Sequence, residues 1–138
     1  MNPYTEEYQN NMKQIEPKWN NLLNLGNFSG VQATEFETLC LTNIDQYKKM
    51  RDYELTHSTY TVSMRVPAYI CLALLYENQE EYLLGRNICK EGMDLEADID
   101  HTLEKTRRRL EKKIKKSGMA NVSQVEGMVL NVFRRKKT

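Results

Sequence analysis

The chain has 138 residues, with 20 Lys and Arg, 19 Asp and Glu and a net charge of +1. That length suits one domain with its own core, and 40% apolar with 28% charged residues describes a folding chain rather than a disordered one. Its longest apolar stretch, Ala68 to Tyr76, falls far short of the roughly 20 residues that a bilayer-spanning helix needs. The N-terminus has neither the basic start nor the apolar run of a signal peptide, so a cytoplasmic location is expected. None of these numbers names an activity.

The first predicted helix covers residues 5 to 25. Tyr8, Met12, Ile15, Trp19, Leu22 and Leu23 recur at helical spacing. Thr5 is the expected cap, and Glu6 and Glu7 suit the positive end of the helix dipole. Pro17 lacks a backbone donor and predicts a kink, or two short helices meeting there. Gly26 stands where a left-handed stop belongs. The second helix is expected over 32 to 54, with Phe36, Leu39, Cys40, Ile44, Tyr47 and Met50 on one face. Residues 56 to 63 are polar and β-branched and read as a connection.

Val66-Pro67 opens a third helix, because proline is tolerated where the first-turn donor is unused anyway. Tyr69, Leu72, Ala73 and Tyr76 lie on it, a polar break follows at 77 to 81, and Tyr82, Gly85, Ile88, Cys89, Gly92 and Leu95 begin again. Glycine inside a helix costs about 1 kcal/mol against alanine. Two glycines seven residues apart on one face therefore predict a close approach by a neighbouring helix. The two runs describe an antiparallel helical hairpin.

This stretch, Val66 to Ala97, resembles a tetratricopeptide (TPR) repeat, a 34-residue helix–turn–helix. Tyr69, Leu72-Ala73 and Tyr76 stand at the family's positions in the first helix. Tyr82, Gly85, Cys89 and Gly92 stand at those of the second. The chain departs from the pattern at Glu80, where a turn glycine is usual, at Cys89 and at Ala97. More loosely, the sequence is similar to uncharacterised bacterial proteins that carry a single such repeat. The resemblance implies an all-α fold of about five helices, built from antiparallel hairpins, in which a single repeat needs neighbours to cover its apolar faces. It also implies a partner-binding face at Ile70, Leu74, Glu77 and Asn78. Apolar Ile70 and Leu74 speak against an acidic chain terminus as ligand; either an apolar partner docks on that face or the helix over 32 to 54 already fills it, and the second is expected.

The next helix, expected over 97 to 117, pairs a thin stripe (Ile99, Leu103, Thr106, Leu110, Ile114) with a crowded basic surface. It reads as a solubilising cap on a helical domain spanning 1 to 118. Residues 119 to 138 form a basic amphipathic extension, with Val122, Val125, Met128, Val129, Val132 and Phe133 before four cations. The extension has three open roles: packing back on the body, sealing a dimer, or lying on a membrane surface.

Charge divides along the chain. Residues 1 to 104 carry a net of −9 and residues 105 to 138 a net of +10. Arg107, Arg108, Arg109, Lys112, Lys113, Lys115, Lys116, Arg134, Arg135, Lys136 and Lys137 are thus candidate polyanion contacts. Cys40, Cys71 and Cys89 each sit in an apolar run and read as buried hydrophobes, and His57 and His101 neighbour none of them. No metal, cofactor or catalytic motif is expected. The function expected is a non-enzymatic interaction module that binds a protein partner, a second copy included. The alternative is a nucleic-acid accessory protein working through phosphate contacts.

Overall fold

The computed structural model describes residues 2–57 and 63–118. Five helices make up their regular structure, in the order α1 (Thr5–Leu25), α2 (Val31–His57), α3 (Pro67–Asn78), α4 (Tyr82–Asp94) and α5 (Thr102–Lys116). No strand forms among the described residues, only an isolated antiparallel bridge between Arg65 and Asp98. No described helix is long and apolar enough to cross a membrane. The basic extension over 119 to 138 lies outside the described residues.

α3 is the common wall of the molecule, packing against α1, α2, α4 and α5. Its sequence explains this role: Ala68, Tyr69, Leu72, Ala73, Leu75 and Tyr76 are all essentially sealed from solvent, around most of the helix circumference. On one side the α1–α2 pair meets it through aromatic rings. Tyr47 stands between Tyr8 of α1 at 6.0 Å and Tyr69 of α3 at 6.2 Å, and within the pair Trp19 stacks on Phe36 at 5.6 Å. Asn43 is fully buried between α1 and α2, donating to the Tyr8 carbonyl and to Gln46 Oε1, each at 3.0 Å. On the other side α3 and α4 run antiparallel. A Cβ on Gly85 would lie 3.3 Å from the Ala73 carbonyl oxygen, and one on Gly92 would lie 3.0 Å from the Tyr69 ring. The expected close approach at the two glycines is therefore present.

Several helix ends differ from the expectation. Thr5 does not cap α1; Tyr4 occupies that position without a side-chain bond, and Asn2 Oδ1 accepts from the Tyr4 N–H instead. Pro17 sits on the exposed side of one continuous helix, so two short helices do not form. Leu23 points outward, 48% exposed, about 100° round the helix from buried Leu22. Gly26 ends α1 as anticipated, at φ +67° with its N–H on the Leu22 carbonyl. α5 starts five residues later than residue 97. Asp98 accepts from the Leu103 N–H at 2.8 Å and the Glu104 N–H at 3.1 Å, which leaves Ile99 in the preceding turn and exposed.

Candidate functional site

Ile70, Leu74, Glu77 and Asn78 fall on one face of α3, at steps of four, three and one. Ile70 and Leu74 are half-buried there, and Asn78 is exposed, its Nδ2 donating to the Leu74 carbonyl at 2.8 Å. α2 does not fill this face, contrary to the sequence expectation. It lies against the Tyr69 and Tyr76 side of α3, where the Tyr76 hydroxyl donates to Glu37 Oε2 at 2.6 Å. The face instead runs between α1 and α5, the two helices that flank α3 without touching each other.

Glu77 is already engaged. Arg109 donates to it in bidentate fashion at 2.7 and 2.8 Å, and Lys113 adds a third bond at 2.8 Å. Hydrogen bonds from Arg109 outweigh the burial of the carboxyl and hold its pKa down at about 2. Lys113 also stands 5.6 Å over the Tyr82 ring. One acid on α3 thus ties down the end of α5. At the opposite end of the same face Arg65 reaches Glu16 of α1 at 2.8 Å and Asp100 at 3.6 Å. One clasp thus joins α3 to α5 and the other, through Arg65, joins α1 to the approach to α5, with Ile70 and Leu74 between.

The basic surface of α5 is partly spent inside the molecule. Arg107 pairs with Glu111 and Arg108 with Glu104 one turn away, and Arg109 and Lys113 hold Glu77. Lys112, Lys115 and Lys116 are exposed cations of the same helix. Arg134, Arg135, Lys136 and Lys137 lie outside the described residues.

Burial pushes the Cys71 and Cys89 thiols up to about 12 and the Cys40 thiol higher still, so all three persist as neutral packing groups. No cluster of three or more His, Cys, Asp or Glu side chains able to hold a metal occurs among the described residues. Arg65 and the ion pair from Glu77 to Arg109 escaped the sequence reading. Glu77 and Arg109 are 32 positions apart, and no local pattern announces a pairing at that distance. Compared with protein-family models, curated proteins and solved structures, the chain matches none.

Proposed function

We propose that this chain is a non-enzymatic protein-interaction module of TPR-like build, with α5 as its basic capping helix. The carrying observation is the neighbour order. Each helix packs on the next, and α1, α3 and α5 form a row in which α3 touches both others. Stacked helical hairpins produce that order, because each hairpin must cover the apolar face of the one before. The α3–α4 turn adds a second support. Glu80 adopts φ +59°, a conformation glycine takes most readily, at the position where the repeat pattern carries glycine. The strip at Ile70 and Leu74, half-buried and left open by the other described residues, is framed by the Arg65 and Glu77 clasps and serves as the docking surface for a protein partner.

A photo-crosslinking residue at Asn78 tests this reading, because that position is exposed and borders the strip. A specific partner crosslinks there, and the adduct disappears with Leu74→Glu while thermal melting is retained. Crosslinks to nucleic acid alone, lost steeply as salt rises, would replace this reading with phosphate contacts through Lys112, Lys115, Lys116 and the C-terminal cations.

A further inference from the structure

A second groove lies on the side of the α1–α2 pair turned away from α3. Glu7, Gln14, Lys18 and Leu25 share one face of α1, opposite Glu16, which points toward Arg65 beside α3. Near the α1–α2 turn the groove deepens to a cleft of about 610 Å3 with Leu22, Phe36 and Leu39 in its walls. Leu25 stands at that end with 60% of its surface exposed, and Val31 just beyond the turn is 74% exposed. Toward the start of α1, past the Asn11–Gln46 hydrogen bond that bridges the two helices, lies a separate smaller hollow bordered by Glu7 and Asp45, the latter paired with Lys49.

We infer that this groove receives the C-terminal segment of a second copy of the chain, residues 122 to 137. The segment's sequence matches the groove in three respects. Its apolar residues, from Val122 to Phe133, recur at helical spacing and suit a cleft between two helices. Its 16 residues would extend about 24 Å as a helix, and the α1 face from Glu7 to Leu25, which borders both hollows, runs about 27 Å at the same rise per residue. Its cations at 134 to 137 gather at one end, and Glu7 and Asp45 do the same on the α1–α2 surface, while at the other end Lys18 and Glu35 balance each other among apolar and amide side chains.

Reach decides between a chain's own groove and its neighbour's. Gly118 closes α5, on the far side of α3 from α1, and only three residues separate it from Val122. That link spans about 14 Å when extended. The outer side of α1 lies beyond two helix spacings of about 8–10 Å each. α5 offers no alternative seat, because Leu103, Leu110 and Ile114 are already buried and its outward residues are charged. Two copies exchanging segments form a closed pair, each supplying one segment and one groove. This surface is separate from the strip on α3, so either can fail without the other.

Sedimentation of the full-length chain over a wide concentration range tests the inference. A concentration-dependent dimer is expected. Leu25→Glu in the groove and Val129→Glu in the segment should each weaken it by at least about tenfold, about 1.4 kcal/mol, with melting of the monomer unchanged. Glu7→Arg with Asp45→Arg should also weaken it, and Arg134→Glu with Arg135→Glu should restore it. A monomer at every concentration overturns the inference, as does a dimer indifferent to either single substitution. A monomer in which Val129→Glu speeds amide exchange across Leu22 to Leu39 places the segment in its own groove, and equally overturns it.

Discussion

The two sides of α3 reach close packing by opposite means. Toward α2 the contact is made of large side chains, with Tyr47 edge-on to Tyr69 and Tyr76 bonded to Glu37, and behind it Trp19, Phe36 and Asn43 fill the space between α1 and α2. Against α4 the seam is made of what is missing. Gly85 and Gly92 let that helix settle on Ala73 and Tyr69, and Leu103 and Leu110 of α5 press in from the other flank. A ring seam has side chains that can rotate and shift. A glycine seam has little slack, so the two sides should respond unequally to similar insults.

The largest effect is expected on the α4 side. Gly92→Leu puts a branched side chain where even a Cβ crowds the Tyr69 ring and the tip of Leu103, and should cost about 3 kcal/mol or more. Thermal melting measures it. A milder result comes from the α1–α2 side with Asn43→Leu. That change removes two donated bonds but also a buried Oδ1 without a partner, so a loss of about 1–2 kcal/mol in denaturant unfolding is expected. Equal losses from the two substitutions would erase the contrast.

The tie between α3 and α5 should appear as a pH effect. Glu77 titrates at about 2 in the folded chain, below its ordinary 4.5. Its ion pairs therefore contribute fully above about pH 4.5, and the contribution fades as pH falls toward 2. Glu77→Gln should cost about 1 kcal/mol near neutrality and flatten that acid limb of the stability profile. The smallest change sharpens the turn. Glu80→Gly relieves a left-handed residue but loosens the unfolded chain, for a net gain of up to about 1 kcal/mol.

Much of this architecture was legible because it rests on local rules. The apolar spacing located all five helices, Gly26 marked the stop of α1, and Gly85 with Gly92 announced a close seam before any neighbour was known. The errors came where local rules compete or where distant residues decide. Ile99 continues the apolar rhythm of α5, yet Asp100 accepts the first free N–H, from Thr102, and Asp98 the next two, which starts the helix after Ile99. Leu23 looks apolar in register, but it falls beside the buried face already held by Trp19 and Leu22. At the candidate site, residue type indicated the strip at Ile70 and Leu74. Which helix flanks it is a tertiary fact: α2 took the tyrosine side of α3, and Glu77 found its cations on α5. The Glu80 turn shows the reverse case, in which the residue type alone disfavours a left-handed shape that the backbone nonetheless keeps.

The central claim is that α3 is the shared wall on which both pairs depend, and native-state amide exchange tests it most directly. The account predicts that the amides of Leu72, Ala73 and Tyr76 exchange only through complete unfolding, later than any in α1 or α5. Amides of α3 that open while either flanking pair stays protected would contradict it.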